Sequence, residues 1–237
     1  MTTFLINSPL EQFEVTNLAL YSSFIFLVVI GLQFYGNNDN KIIPNNWSIS
    51  FESSFQSLNT MVKEQIGIYN EKYLPFIYSL FFFILIGNLI SNVPYSFAVT
   101  ASGVVSLGLS VTIFIGVTIL AVSIHGIRFF AFFIPAGTPL ALIPLLVLIE
   151  LISYLARAVS LGVRLFANIT AGHTLLKILS TYLFQLFSGS YFIAILTLIP
   201  FAIFLALVGL EIAVSLIQAF VFTLLVCSYL RDAIELH

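Results

Sequence analysis

Residues 139–187 read PLALIPLLVLIELISYLARAVSLGVRLFANITAGHTLLKILSTYLFQLF, and this stretch contains no clear helix stop signal. Pro144 lies near its start, and Gly162 and Gly172 are isolated. At a rise of about 1.5 Å per residue, the helix is on the order of 60 Å long, about twice the thickness of a hydrocarbon core. A helix of this length cannot stand upright in a membrane. We therefore expect it to tilt steeply, to bend at Pro144 or to project from the bilayer.

A second stretch of the same kind follows at 191–230, broken only by Pro200, where a bend is likewise an alternative to a steep tilt. The turn sequence SGS at 188–190 joins the two stretches and is too short for anything but an antiparallel hairpin. Thr138 and Pro139 predict the start of the first helix, as an N-cap followed by proline at the first helical position. The C-terminal half of the chain is therefore expected to be a hairpin of two long, steeply tilted helices.

The composition places the chain in a membrane. Of its 237 residues, 60% are hydrophobic and 8% are charged, whereas soluble domains carry about 25% charged residues. So few charges cannot cover a surface that faces water. The net charge of −2 indicates no nucleic-acid surface, and the single Cys227 provides neither a disulfide framework nor a metal-binding pattern. We expect no metal and no cofactor.

The whole chain, 1–237, is predicted to be a single all-α membrane domain with about five membrane-crossing helices. The predicted segments are an N-terminal segment (1–15), a span (16–35), an interfacial helix (50–70), two spans (74–93 and 103–124), the two long helices (139–187 and 191–230) and a C-terminal tail (231–237). The first residues lack the basic region of a secretory signal. Residues 1–7 are compatible both with a retained N-terminus and with a short processed leader.

The interfacial helix at 50–70 differs from the spans because its apolar residues recur with the period of a helix. These residues are Phe51, Phe55, Leu58, Val62, Ile66 and Tyr69. Ser, Gln, Glu and Lys fill the other faces, which predicts an amphipathic helix lying in the membrane interface. The alternative is a helix whose apolar face covers other segments of the protein.

The basic residues of the connections fall on one side of the predicted membrane. With five crossings, the side of the C-terminus carries Lys41, Lys63, Lys72, Arg128 and Arg231. The connections on the opposite side carry neither Lys nor Arg. Because inner loops are enriched in Lys and Arg, the N-terminus is expected outside and the C-terminus inside.

Six ionisable side chains lie within the predicted membrane helices, although each costs a few kcal/mol at membrane depth. They are Glu150, Arg157, Arg164, His173, Lys177 and Glu211. The first three are seven residues apart and share one helical face, and Asn168 lies one turn beyond Arg164. Gln218 is likewise seven residues from Glu211. Small residues that permit close helix approach lie nearby, at Ala156, Ser160, Ala167, Ala171, Ala213 and Ser215.

Each of these polar residues also has a structural interpretation. A long basic side chain such as Arg157 or Lys177 can snorkel or pair within the protein. Glu211 could neutralise an arginine, and Asn168 and Gln218 could form interhelical hydrogen bonds. An ion pair with one of the acids would account for Arg164, but the set contains more polar residues than one ion pair requires.

The chemistry of the set favours proton movement. Glu, His, Asn and Gln side chains in a dry environment can hold water and relay protons. Arginine does not deprotonate in proteins and cannot relay them. A cation at Arg164 between two relay routes would block direct flow and favour the ionised form of a carboxylate brought near it. The pattern indicates a proton path that is interrupted at Arg164 and completed by a moving carboxylate, which need not lie in this chain.

These segments resemble a known family. IELISYLARAVSLGVRLFANITAGHTLLKIL (149–179) and LEIAVSLIQAFVFTLLVCSYLRDAIELH (210–237) are similar to subunit a of the F-type ATP synthase membrane sector. The start SPLEQFEV (8–15) and the loop IPAGTPL (134–140) resemble the fungal mitochondrial form in particular. The resemblance covers essentially the whole chain, and the run from Arg164 to Asn168 with the C-terminal Glu/Gln pair is highly specific.

The resemblance implies a non-catalytic stator subunit of a rotary proton turbine, with its long helices against a ring of c subunits. Arg164 matches the family's essential arginine, which keeps the facing ring carboxylate ionised and separates two offset half-channels. Glu211 and His173 match the half-channel open to the intermembrane space, and Glu150 and Asp232 match the matrix half-channel. Asn168 and Gln218 match two polar positions that the family has near this arginine. The role of Arg157 stays open: it could contact the ring or another acid.

The resemblance also implies partners and a location. The partners are the c-subunit ring, other membrane-sector stator subunits including a b-type peripheral stalk, protons and membrane lipids. The location is the mitochondrial inner membrane, with the N-terminus toward the intermembrane space and the C-terminus toward the matrix. The alternative is a self-contained proton-coupled secondary transporter or channel. Such transporters often carry internal repeats and broken helices, and the sequence shows neither feature.

Overall fold

A computed structural model of the chain describes residues 3–6, 13–36, 46–93, 98–126, 129, 142–187 and 197–234. Its helices are α1 (Asn17–Gly36), α2 (Asn46–Ile66), α3 (Leu74–Ser91), α4 (Gly103–His125), α5 (Ile143–Phe187) and α6 (Leu198–Ile234), with a 3-10 helix at Ile68–Tyr73. The predicted all-α membrane fold is confirmed. One addition is a short antiparallel strand pair before α1, formed by β1 (Thr3–Ile6) and β2 (Phe13–Thr16).

The helices have the length and composition of membrane spans. Four helical segments of the described chain are long and apolar enough to cross a bilayer, namely Glu71–Ser91, Gly103–His125, Ile143–Phe187 and Leu198–Ile234. A shorter apolar helix lies at Ala19–Phe34, within α1. α1 has 20 residues in all, which corresponds to about 30 Å and matches a hydrocarbon core. The expected number of about five crossings agrees with these helices.

The two C-terminal helices are longer than a bilayer requires. α5 has 45 residues and α6 has 37, which corresponds to about 67 Å and 55 Å. Pro144 and Pro200 lie in the first turns of α5 and α6. The first turn tolerates proline because its N–H groups have no partner within the helix. The expected alternative of a bend at these prolines therefore does not apply, and both helices continue unbroken beyond them.

The C-terminal end of α6 differs from its predicted bound at 230, whereas α5 ends at Phe187. α6 continues to Ile234, so Asp232 lies on the helix and not in a C-terminal tail. Hydrogen bonds from the His125 ring to the carbonyl oxygens of Ala233 (3.1 Å) and Ile234 (3.2 Å) stabilise this end. The predicted start at Thr138 and Pro139 and the turn at 188–190 lie outside the described residues.

The amphipathic helix α2 starts and ends about four residues earlier than predicted, at Asn46 and Ile66. Its apolar face is divided. Leu58, Val62 and Ile66 are buried, and α2 packs against α3 and α6. Trp47 and Phe55, near the start of the helix, are exposed. The C-terminal half thus covers other protein segments, and the N-terminal half keeps the exposed apolar surface that an interfacial helix needs.

Helix α6 lies at the centre of the bundle, in contact with α2, α3, α4 and α5. Phe222, Val226 and Cys227 on its inner side are fully buried. The outer sides of α5 and α6 carry exposed large apolar residues, among them Leu155, Val159, Leu210, Ile217 and Phe220. Exposed apolar surface of this extent fits contact with lipid or with another membrane protein.

Small residues hold α4 and α5 close together. Ser110 donates a hydrogen bond to the carbonyl oxygen of Ala158. A Cβ atom placed on Gly162 would lie 3.0 Å from the Cα atom of Leu107 and 3.0 Å from the carbonyl oxygen of Ser106. Because these are backbone atoms, a side chain at position 162 requires the two helices to separate.

We expect Gly162→Leu to reduce the amount of assembled protein strongly. Overpacking a tight contact costs about 1–3 kcal/mol even for small additions, and leucine adds four carbon atoms against backbone. The amount of membrane complex on a native gel measures the effect. The matched control is Gly108→Leu, because nothing lies within 4 Å of a Cβ atom at this α4 position. Equal amounts of complex in both variants would contradict the proposed role of the close contact.

Candidate functional site

The antiparallel packing of α5 and α6 places their polar residues at matching levels. Arg157 on α5 faces Asp232 near the end of α6, and Asn168 faces Gln218 in the middle of α6. At a third level, Gly172 faces Glu211. Polar residues predicted from two separate sequence segments are thus brought together along one helix–helix contact.

Arg157 lies between two acids, Glu150 of α5 and Asp232 near the C-terminal end of α6. Its Nη1 atom is 3.1 Å from Oδ2 of Asp232, and its Nη2 atom is 3.9 Å from Oε1 of Glu150. The hydroxyl of Tyr229 donates a hydrogen bond to the Arg157 carbonyl oxygen at 3.4 Å. Between 33% and 37% of each charged side chain is exposed. Of the interpretations open for Arg157, the structure supports contact with another acid.

Removing the Arg157 charge should leave two neighbouring carboxylates without their cation. We expect Arg157→Leu to lower the stability of the complex by on the order of 1 kcal/mol, because a pair that is one third exposed is partly screened. Thermal inactivation of the purified complex measures the loss. A triple variant that adds Glu150→Gln and Asp232→Asn should recover most of the stability, since it leaves no unpaired charge. A single variant as stable as wild type would show that the ion pairs contribute little.

Arg164 lies at one end of a large open cavity between α5 and α6. The cavity has a volume of about 610 Å³. Its lining extends from Ser153, Arg157 and Asp232 at one end to Arg164 and Leu225 at the other. Arg164 is exposed, and within the described parts of the chain it forms neither a hydrogen bond nor an ion pair. The interpretation of Arg164 as half of an internal ion pair therefore finds no support in these residues.

One turn beyond Arg164, the two helices are joined by an amide hydrogen bond. Nδ2 of Asn168 donates to Oε1 of Gln218 at 2.8 Å. Gln218 is buried, whereas Asn168 is exposed on the same side of α5 as Arg164. The expected interhelical hydrogen bond is present, and neither of these two residues lines the cavity.

A second polar group lies beyond this hydrogen bond. Oε1 of Glu211 lies beside Gly172. A Cβ atom built on this glycine would be only 2.5 Å from that oxygen. His173 is close enough to Glu211 for an electrostatic interaction. Within the described residues, Oε1 of Glu211 and Nε2 of His173 are both buried without a hydrogen-bond partner. Buried polar atoms in proteins are normally satisfied, so these two atoms form an unusual polar site.

Arg164 thus separates two polar groups along α5. The Arg157 cluster lies about 10 Å from it in one direction, and the Glu211 and His173 group lies about 12 Å from it in the other. Lys177 is exposed further along the helix and forms no ion pair among the described residues. The described part of the chain contains no cluster of three or more His, Cys, Asp or Glu residues that could hold a metal ion.

Several residues of the site were not predicted. Just after the end of α3, Nδ2 of Asn92 donates to Oγ of Ser215 at 3.0 Å, and within α3, Nδ2 of Asn88 lies 3.5 Å from the Ser215 carbonyl oxygen. Ser215 in turn donates to the carbonyl oxygen of Glu211 at 2.9 Å. Two asparagines one turn apart in an apolar span are a detectable signal. The contribution of Tyr229 to the cavity had no comparable signal in the sequence.

Comparisons with known proteins agree with the sequence resemblance. The family model described as ATP synthase A chain matches residues 19–231. Curated relatives named ATP synthase subunit a are similar over nearly the whole length. A protein from Mycosarcoma maydis is 59% identical, covering 99% of this chain and 99% of its own length. Those from Chondrus crispus (43% identical; 100% and 99% covered) and Yarrowia lipolytica (45%; 99% and 99%) are also similar throughout.

Proposed function

The chain belongs to the ATP synthase A chain family, and we propose that it is the stator subunit that guides protons past a rotating c-subunit ring. It is a non-catalytic, multi-pass membrane subunit of an ATP synthase. In the proposed arrangement, Arg164 faces the ring carboxylates and separates two offset proton half-channels. Proton flow through these half-channels turns the ring and drives ATP synthesis.

One observation carries the proposal, namely the position of Arg164 between a cavity and a separate polar group. The cavity extends from Asp232 to Arg164 and includes Arg157. The Asn168–Gln218 hydrogen bond and Glu211 lie beyond the arginine. A permanent cation at such a boundary repels protons from both sides, since arginine keeps its charge. This arrangement supports two routes that stop at Arg164.

The surface around Arg164 supports contact with a helix of the ring. Ala156, Ser160, Ala167 and Ala171 are all exposed on α5 near the arginine. Small residues allow a partner helix to approach closely in a membrane. A carboxylate on that helix could then reach the guanidinium group of Arg164, which is free of internal ion pairs among the described residues.

This geometry supports the following proposed proton path. A proton enters from the intermembrane space past His173 and Glu211 and neutralises a ring carboxylate. The neutral carboxyl group moves through lipid as the ring turns, because burying it there costs less than burying its anion. On reaching the cavity, the carboxyl group releases its proton toward Glu150 and Asp232. Arg164 favours this release because a nearby cation stabilises the carboxylate.

The proposed location is the mitochondrial inner membrane, with the C-terminus and the Arg157 cluster on the matrix side. The fungal and red algal relatives support an organelle membrane. The basic residues Lys63, Lys72 and Arg231 support the orientation through the positive-inside rule. The proposed partners are the c-subunit ring and other membrane-sector stator subunits, including a b-type peripheral stalk.

Side-specific cysteine labelling tests the proposed cavity. In a Cys227→Ala background of the intact complex, Ser228→Cys should react with a charged, impermeant thiol reagent from the C-terminal side. The reaction should stop proton flow, because Ser228 lines the cavity. The matched control is Ser180→Cys, exposed on α5 beyond Lys177, which should react from the opposite side without stopping flow. Reaction of Ser228→Cys from the N-terminal side, or reaction without inhibition, would contradict the proposal.

The alternative of a self-contained transporter has a direct test. The purified chain alone, reconstituted into vesicles, is expected to move no protons under an imposed gradient, because the moving carboxylate belongs to the ring. Coupled transport by the chain alone would favour the alternative. The membership of this chain in the ATP synthase A chain family argues against transport by the chain alone.

A further inference from the structure

A narrow groove runs between α3 and α4, away from the proposed proton path. Both helices pack against α6, and the groove between them has a volume of about 300 Å³. Tyr73 and Phe76 line one wall, Gly116 lies in the other, and Leu230 of α6 contributes to the floor. Arg164, Glu211 and the other residues of the proposed path do not line it.

The lining of the groove is apolar. Ile113 and Val117 of α4 are buried along it, and both contribute hydrocarbon surface. The hydroxyl of Thr112 donates to the Gly108 carbonyl oxygen at 2.7 Å, so this residue's polar atom is satisfied within the helix. Nothing lies within 4 Å of a Cβ atom placed on Gly116. Glycine at this position therefore keeps the groove open, and a larger side chain would fill it.

The size of the groove suits a hydrocarbon chain. The α4 residues that line it run from Thr112 to Leu120, which corresponds to about 12 Å of helix axis. A groove of this length, with a volume of about 300 Å³, accommodates a single hydrocarbon chain along its apolar walls.

A cation lies beside the end of the groove. Nζ of Lys72 is 5.1 Å from the centroid of the Tyr73 ring, which lines the groove. The nearby acid Glu71 is already paired with Lys63 at 3.0 Å. Lys72 is exposed, and within the described part of the chain it has no carboxylate partner. A negatively charged group at this end of the groove would therefore meet an available ammonium group.

We propose that this groove binds one acyl chain of an anionic phospholipid whose phosphate is held by Lys72. The apolar walls bury the chain, and the lysine adds the headgroup preference that basic residues near a membrane surface provide. The tyrosine ring beside the lysine lies where aromatic residues commonly meet the headgroup level. This site is independent of the role proposed for Arg164.

Photo-crosslinking in the intact complex tests the site. The complex is reconstituted into vesicles that contain trace phospholipid with a photoreactive group in its acyl chain, in either an anionic or a zwitterionic form. We expect the anionic probe to label the α4 segment 112–120 about five-fold more than the zwitterionic probe, as one basic residue near the surface predicts. Mass spectrometry of the digested subunit measures the labelling at this segment.

Two pairs of variants make the result specific. Gly116→Leu should abolish labelling of the segment, whereas Gly108→Leu, on the same helix but outside the groove lining, should retain it. Lys72→Gln should reduce anionic labelling to the zwitterionic level, and Lys72→Arg should preserve the preference. A native gel checks that each variant complex assembles.

Three outcomes would overturn the proposal. They are equal labelling of Gly116→Leu and wild type, equal labelling by both probes in wild type, and crosslinking of the segment to a neighbouring subunit in place of lipid. The experiment measures labelling and not proton flow, so its result tests the lipid site independently of the proposed function.

Discussion

Replacing Arg164 with alanine is expected to abolish proton-driven ATP synthesis while the complex remains assembled. Assembly should survive because Arg164 is exposed and forms neither a hydrogen bond nor an ion pair with the described residues. Removing the Arg164 side chain therefore leaves none of the described residues of the subunit without a hydrogen-bond or ion-pair partner. The measurements are ATP synthesis in energised vesicles, with the amount of complex on a native gel as reference.

The expected effect is large because of the proposed interaction between Arg164 and the ring carboxylate. At an effective dielectric constant of about 20, opposite unit charges about 4 Å apart attract by about 4 kcal/mol, or about three orders of magnitude in an ionisation equilibrium. Without the cation, the carboxyl group would keep its proton when it reaches the cavity. The barrier between the half-channels would also be lost, so a passive proton leak is expected.

Two further variants sharpen the result. Arg164→Lys should restore only part of the activity, because a compact ammonium group cannot replace a planar, delocalised guanidinium group. Lys177→Ala is the matched control, since it removes another exposed cation of α5 that has no ion pair among the described residues. It should synthesise ATP at close to the wild-type rate. Normal ATP-driven proton pumping by Arg164→Ala would refute the proposed role.

The second large effect is expected at Glu211. Glu211→Gln should slow proton transport by at least about ten-fold, because positioned acid–base groups typically contribute about 100-fold or more to proton transfer. Glutamine has nearly the same shape, so the packing beside Gly172 should be kept and the complex should assemble. Proton flow into vesicles measures the rate. An unchanged rate would remove Glu211 from the path.

Gly172 offers an independent test of the same carboxylate. Gly172→Ala should displace the Glu211 side chain, since the new Cβ atom would lie 2.5 Å from Oε1 of Glu211. The displaced atom is the far end of a flexible side chain, so we expect slower proton flow with little loss of assembly. The double variant with Glu211→Gln should be no slower than Glu211→Gln alone, because both changes act on one group. Additive losses would show that Gly172 acts in another way.

The sequence predicted much of the fold because its signals are local. Long apolar runs identified the membrane helices, and the spacing of Glu150, Arg157 and Arg164 placed them on one face of α5. Helix periodicity alone is enough for that conclusion. The helix ends were less predictable. Pro200 reads as an interruption in the sequence, but it lies in the first turn of α6, where proline is tolerated.

The sequence predicted which residues belong to the candidate site, but not which of them contact each other. The sequence could not say that Arg157 contacts both Glu150 and Asp232, or that Glu211 lies against Gly172. The Arg157–Asp232 and Glu211–Gly172 contacts depend on the register of α6 against α5, whereas Glu150 lies on α5 itself, seven residues before Arg157. Moving one helix by a single residue rotates its side chains by about 100°, so spacing within one segment carries no information on its partner.

The order of the amino acids is enough to predict a membrane protein, two helices longer than a bilayer and charged residues within those helices. Hydrophobicity and helical period are properties of single segments, and they can be read without a partner. The packing of the helices was needed to see that a cavity leads to Arg164 and that the Asn168–Gln218 hydrogen bond and Glu211 lie beyond it. Cavities and paired side chains arise where separate helices meet, at distances that close packing alone sets.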